Sequence, residues 1–123
     1  MKKNRAFILF EVTLTIAILS LGLVFIVRSI GASMKVAKAS YNYNKAMNLA
    51  YEKLIDLELK SQTEGLEIFS DQGSFLSNEN FSWKYVVVHL SDENLGKLIL
   101  DVSWKEGRRD RGFNIVTYIK IKD

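Results

Sequence analysis

The sequence predicts an α+β protein in which one long N-terminal helix packs against a small antiparallel β-sheet. Three observations predict it: an apolar run at residues 7–27, helical apolar spacing that continues to about residue 60, and two-residue alternation towards the C-terminus. The chain has 123 residues. Roughly 60 of them remain for a globular head, close to the lower limit for a core that folds unaided. A deep enzyme pocket is not expected in so small a body.

The net charge of +3 comes entirely from the first six residues, which include Lys2, Lys3 and Arg5. The rest of the chain has 14 basic and 14 acidic residues. A neutral body offers no electrostatic surface for nucleic acid, so no nucleic-acid partner is expected. The absence of cysteine excludes disulfides and thiolate zinc sites.

Residues 1–6 form a short basic leader, and residues 7–27 form an apolar segment. A helix of 21 residues is about 31 Å long, which matches the hydrocarbon core of a bilayer. Basic residues in the leader predict a cytoplasmic N-terminus and an exported head. A cleaved secretory signal peptide is the alternative. Its cleavage pattern fits Ala37-Lys38-Ala39, but that site lies about a dozen residues beyond the run.

Glu11 is the one charge within the apolar segment. A carboxylate costs about 2.5–3.5 kcal/mol inside a membrane helix, so it needs a partner. If the chain were cut between Ala6 and Phe7, the new ammonium would lie four residues from Glu11, one helical turn away. The same amine could pair with Glu11 of a neighbouring subunit. The alternative is a carboxyl that snorkels to the cytoplasmic face or is protonated.

The N-terminus consists, in order, of a basic leader, a small residue, Phe7, three apolar residues, Glu11 and a long apolar helix. This arrangement resembles the N-terminal signal of type IV pilins and type II secretion pseudopilins. The resemblance implies that prepilin peptidase cleaves between Ala6 and Phe7 and methylates the new Phe7 amine. It also implies that Glu11 guides subunit assembly by charge complementarity. Two features depart from the family pattern. Ala6 stands where Gly is usual, and the chain has no proline to kink the helix, so Gly22 is the expected flexible point.

Residues 28–60 form the amphipathic half of the predicted helix, with apolar residues at three- and four-residue steps. Small residues in this half are expected to permit close helix approach, or to serve helix propensity alone. The stretch from Ala50 to Leu57 is similar to one in the I-type minor pseudopilins. That similarity implies partner binding through Ala50, Glu52, Leu54 and Leu57. The alternative is an amphipathic core helix.

Residues 61–123 form the predicted β head. Period-two alternation predicts three antiparallel strands, at Phe81–Leu90, Lys97–Lys105 and Phe113–Ile121, with turns at 91–96 and 106–112. One face of this sheet is expected to cover the upper part of the helix, and an exposed edge strand would suit a partner subunit. Several apolar residues before the first strand are expected to pack inward as a short strand or hairpin. They are Leu66, Ile68, Phe69, Phe75 and Leu76.

No catalytic constellation is evident, and the chain is not expected to be an enzyme or to hold a cofactor. His89 is the only histidine, so a transition-metal site is not expected, and a structural role is favoured over that of a catalytic base. The turn at residues 92–94 has oxygen ligands for Ca²⁺, but a plain acidic turn is favoured. The arginines at 108, 109 and 111 predict a solvated basic hairpin tip, or a surface for an acidic partner.

The resemblance implies a pilin-like fold and a minor pseudopilin of a type II protein secretion system, closest to the I type. Such a subunit joins the minor J and K types and the major pseudopilin in a filament whose tip supports export of folded proteins. The implied location is the bacterial inner membrane, with a single span, a cytoplasmic N-terminus and a periplasmic head. Two alternatives stay open: a minor pilin of a type IV pilus or DNA-uptake system, and a plain single-span anchored periplasmic domain.

Overall fold

The computed structural model describes residues 2–65, 70–91 and 94–121, with Lys2 described by its backbone alone. They form one helix and a four-stranded antiparallel sheet, which confirms the α+β layout. The elements are α1 (Lys2–Thr63), β1 (Ser70–Phe75), β2 (Asn78–His89), β3 (Leu95–Glu106) and β4 (Arg109–Lys120). The strands lie in the sheet in chain order, so each pairs with its neighbour in sequence.

The chain divides into two compact units, residues 1–40 and residues 41–123. In the first unit α1 has no proline and carries exposed side chains from residue 3 to residue 38. Its two glycines, Gly22 and Gly31, have no neighbouring atom within 4 Å of the position that a Cβ would occupy. Neither glycine is therefore required by a close contact within this chain.

In the second unit, α1 packs against one face of the sheet. Strand β3 shows the period-two burial that a half-covered sheet predicts, with Leu98 and Leu100 both 0% exposed. From the helix, Ala46 and Ala50 are also 0% exposed. Their small side chains bring the helix backbone close to the sheet, so close packing here is between helix and sheet within one chain.

The helix ends later than the predicted position near residue 60. Glu64 N–H donates to the carbonyl of Lys60 at 3.1 Å, and Gly65 follows with a φ of +77°. A glycine in this left-handed conformation is the usual way to stop a helix, because it lacks the Cβ that would clash. The hydroxyl of Ser61, which is buried, donates to the carbonyl of Glu58.

The sheet has one strand more than the predicted three-stranded meander, and the extra strand lies in the segment for which a short strand or hairpin was expected. β1 pairs with β2 in a register that runs from Ser70 opposite Val86 to Ser74 opposite Ser82, and the register then shifts so that Phe75 lies opposite Asn78. Phe75 is buried as predicted, whereas Leu76 lies in the β1–β2 turn and is fully exposed. The predictions for residues 66, 68 and 69 lie outside the described residues.

The last hairpin is also tighter than predicted. β3 and β4 are joined by two residues, Gly107 and Arg108, and Glu106 pairs with Arg109. Gly107 has a φ of +65°, as the first central position of a II′ hairpin turn requires. The segment 109–112 therefore belongs to β4 and not to a turn.

Candidate functional site

The apolar half of α1 has the length and composition to cross a membrane once. The large apolar side chains from residue 7 to residue 27 are between 47% exposed, at Val24, and 69% exposed, at Phe7. Mean hydropathy over the most apolar 18-residue window is 2.4, and none of that window is buried in the chain. A surface this apolar on every side suits lipid or other helices better than water.

Hydroxyl groups in this segment are satisfied by the helix itself. The side chains of Thr13, Thr15 and Ser20 donate to the carbonyls four residues earlier, at 2.8, 2.8 and 2.7 Å. The Glu11 carboxylate cannot form such a hydrogen bond to a helix carbonyl, because it is charged and only accepts hydrogen bonds. Within the described residues it forms no ion pair. No described residue therefore supplies a partner for this charge.

The predicted processing site lies one helical turn before Glu11. Ala6 and Phe7 are both exposed, and the helix is continuous through them. Residues four apart on a helix have Cβ atoms about 5–6 Å apart, so an amine created at Phe7 would start close to the Glu11 carboxylate. Cleavage between Ala6 and Phe7 stays a prediction.

Basic residues flank both ends of the apolar segment. Three lie in the leader, and Arg28, Lys35 and Lys38 follow the segment. Orientation follows the difference in basic charge between the two flanks, and here that difference is small. The cytoplasmic N-terminus therefore stays a prediction that depends on the resemblance of the leader more than on charge.

The four predicted partner-binding residues of the upper helix do not share one surface. Ala50 and Leu57 are 0% and 2% exposed and lie in the core beneath the sheet, where no second chain reaches them. Leu54 is half-buried against that core, and Glu52 is exposed. Two of the four therefore pack against the chain's own sheet, and partner binding through these four residues stays a prediction.

A different side of the same helix carries the apolar surface that sequence reasoning missed. Tyr51, Ile55 and Leu59 recur every four residues and are 55%, 59% and 57% exposed. Ile55 and Leu59 line a groove of about 550 Å³, together with Phe75 and Leu76 of the β1–β2 hairpin. The four-residue spacing was visible in the sequence, but the core side and the outer side of this helix have similar spacing.

A cation–π contact closes one wall of that groove. The Lys53 Nζ lies 3.8 Å from the centroid of the Trp83 ring, which stacks on Tyr85 at a centroid distance of 5.9 Å. Burial lowers the pKa of Lys53, and the nearby Asp56 carboxylate partly offsets this. The contact links the helix to strand β2.

Glu106 ties the end of the β3–β4 hairpin to the helix. Its Oε1 accepts a hydrogen bond from Asn42 Nδ2 at 3.0 Å, and its Oε2 lies 3.5 Å from Arg111 Nε. The Glu106 side chain is only 19% exposed. All three arginines near this tip are exposed, and Arg111 forms an ion pair with Glu106.

The described residues bring no metal-binding cluster together. His89 is exposed at the end of β2. Across residues 2–65, 70–91 and 94–121, no three His, Cys, Asp or Glu side chains are grouped to hold a metal ion. Asp92 and Glu93, part of the calcium alternative, lie outside these ranges.

Comparison with known proteins adds no relative: no family model, no curated protein and no solved structure matches this chain.

Proposed function

We propose that this chain is a minor pseudopilin of a type II protein secretion system, closest to the I type, which assembles with other pseudopilins at the tip of a short filament. One observation carries the proposal. Glu11 is the single charge in a fully exposed 21-residue apolar segment, it has no ion-pair partner among the described residues, and it lies four residues after the junction of Ala6 and Phe7.

The proposed mechanism begins with processing of the leader. Prepilin peptidase hydrolyses the Ala6–Phe7 bond and removes three basic side chains with residues 1–6. The remaining helix then begins with an amine in place of that leader. Methylation keeps the amine basic, so its positive charge persists next to lipid.

Charge pairing in the membrane would then select neighbours. The Phe7 amine and the Glu11 carboxylate are each costly to bury alone, and much less so as a pair. Pairing the amine of one subunit with Glu11 of another joins two helices at a fixed offset. The apolar side chains on all sides of the segment then pack against those helices instead of lipid.

The head would supply the second set of contacts. Because the chain's own sheet covers Ala50 and Leu57, we expect the minor J and K types to contact the outer side of the upper helix. Glu52, Ile55 and Leu59 are exposed on that side. These contacts are peripheral to the proposal, which depends on Glu11.

The test is co-purification of full-length partners from detergent-solubilised membranes. The chain is co-expressed with prepilin peptidase and J- and K-type minor pseudopilins, as wild type, Glu11→Ala or Glu58→Ala. Glu58 is an exposed carboxylate on the same helix outside the apolar segment, so it is the matched control. We expect about a tenfold loss of recovered partner with Glu11→Ala alone, corresponding to about 1.4 kcal/mol of binding.

Membrane insertion is scored in the same samples by resistance to alkaline extraction. Normal insertion of Glu11→Ala with lost partner recovery supports assembly through Glu11. Equal partner recovery by all three chains contradicts it and leaves a plain single-span anchored domain.

A further inference from the structure

The helix carries an unusual run of charge directly after the apolar segment. Between residue 28 and residue 51 there are four basic residues and no acidic one; the next acid is Glu52. We define the basic segment as residues 28–40, which hold Arg28, Lys35 and Lys38. All three side chains are exposed, and none forms an ion pair with another described residue. Three uncompensated cations on one short stretch indicate an anionic partner.

The three cations lie on one side of the helix. At about 100° per residue, Arg28, Lys35 and Lys38 fall within an arc of about 80°. Ile30 and Met34, two exposed apolar residues of the same stretch, lie about 100° from the centre of that arc, and exposed Val36 lies about 120° from it on the other side. A helix of a partner subunit that packs on Ile30 and Met34 leaves the cations beside that contact.

Position along the helix indicates what meets these cations. Arg28 directly follows the apolar segment, and at about 1.5 Å per residue Lys35 and Lys38 lie about 11 and 15 Å further on. The Cα–Cβ bonds of a helix tilt towards its N-terminus, here towards the apolar segment. Long basic side chains that lean this way bring their charges nearer the phosphates at a bilayer surface, whose attraction extends over about a Debye length.

We propose that the basic segment binds the phosphate groups of anionic phospholipids at the membrane surface. The proposal rests on the membrane span of the proposed function, but not on leader cleavage or on partner binding. Arg28 donates two hydrogen bonds to one phosphate, and the two lysines act as point charges on neighbouring headgroups. Because all three lie on one side, the contact sets the depth and rotation of the apolar segment in the bilayer.

The test measures lipid selectivity of the full chain in phosphatidylcholine vesicles. Trace spin-labelled phosphatidylglycerol or spin-labelled phosphatidylcholine is added, and electron paramagnetic resonance gives the fraction of each held at the protein surface. We expect roughly a fivefold preference for phosphatidylglycerol, which falls close to one in high salt. In the triple variant R28Q/K35Q/K38Q it falls by about half, because Lys2, Lys3 and Arg5 of the leader stay. The matched control K84Q/K105Q/K120Q removes three exposed head lysines and keeps the preference.

Two results would overturn the proposal: no preference in the wild-type chain, or a preference that the triple variant retains in full. A wild type without preference whose triple variant loses J- or K-type partners would assign the cations to an acidic protein surface. Alkaline extraction of the vesicles is scored first. A chain that is extracted contradicts the membrane span itself, so that failure is recognised apart from failure of the lipid site.

Discussion

Glu11 and the hydroxyl residues near it differ in how a helix can accommodate them in an apolar segment. Thr13 and Thr15 each carry a polar hydroxyl group, and each hydroxyl donates a hydrogen bond to a carbonyl of its own helix. An ionised carboxylate cannot donate, so its cost stays until it pairs with a cation, takes up a proton or reaches the membrane surface. The sequence alone was sufficient to single out Glu11, because this argument needs only residue type and position.

Burial was harder to predict for single residues of the head. Leu76 and Phe75 are adjacent apolar residues, and both were expected to pack inward. Phe75 ends β1 and faces the core, whereas Leu76 is fully exposed in the turn. Composition cannot separate them, because the difference arises from where the chain reverses.

Tyr85 gives a prediction about alkaline stability. Burial raises the pKa of Tyr85, and the Asp71 carboxylate adds a smaller effect in the same direction. The folded head therefore keeps the phenol proton at a pH where the unfolded chain begins to lose it. The stability from Tyr85 is complete below the ordinary pKa of 10.0 and is lost as the pH rises through the higher folded pKa.

We therefore expect Tyr85→Phe to lessen the fall in melting temperature between about pH 9 and about pH 11, compared with wild type. The measurement is thermal unfolding of the full chain in detergent, followed by tryptophan fluorescence. Tyr118→Phe, which removes an exposed phenol from β4, is the control. Parallel curves for wild type and Tyr85→Phe would show that Tyr85 does not link folding to pH.

At the scale of elements, the alternation of apolar residues predicted β2, β3 and β4 but not β1. Strand β1 reads Ser-Asp-Gln-Gly-Ser-Phe, and only Phe75 in it is buried. It is a strand because its backbone pairs with β2, a long-range interaction that leaves no apolar pattern in its own sequence.

For the helix, the sequence predicted the element but not its orientation against the sheet. Apolar spacing and the absence of proline predicted the helix, but they did not predict which of its sides faces the sheet. Ala50 and Leu57 were assigned to a partner, whereas the sheet covers them and leaves Ile55 and Leu59 outside. Small residues at Ala46 and Ala50 mark the buried side, because a close backbone approach needs them. That size pattern was the available signal.

Glu106 gives a prediction about the hairpin. Glu106→Ala removes the acceptor for Asn42 and the partner of Arg111. We expect the free energy of unfolding to fall by about 1 kcal/mol, because the site is partly wet. Urea unfolding of the full chain in detergent, followed by tryptophan fluorescence, measures it.

The control for that experiment is Asp110→Ala, which removes an exposed acid of the same hairpin that has no ion pair among the described residues. It is expected to change the unfolding free energy by no more than about 0.5 kcal/mol. Equal effects of the two substitutions would contradict a specific role for Glu106.

At the scale of the whole molecule, the sequence predicted a helix with the dimensions of a membrane span and an α+β layout, because both follow from local patterns. It predicted the orientation of the helix in the membrane less strongly, because basic residues flank both ends of the apolar segment. It also could not predict partners. Their contacts depend on which surfaces the chain leaves uncovered, and those appear only when the helix and sheet have packed.

The central claim is that this chain is processed and assembled as a pseudopilin. The most direct test is the intact mass of the full-length protein isolated from membranes, with and without co-expressed prepilin peptidase. The account predicts a mass that corresponds to residues 7–123 plus one methyl group, seen only with the peptidase. A mass that corresponds to all 123 residues in both preparations would contradict it, and a chain cut after Ala39 would make the protein a secreted one.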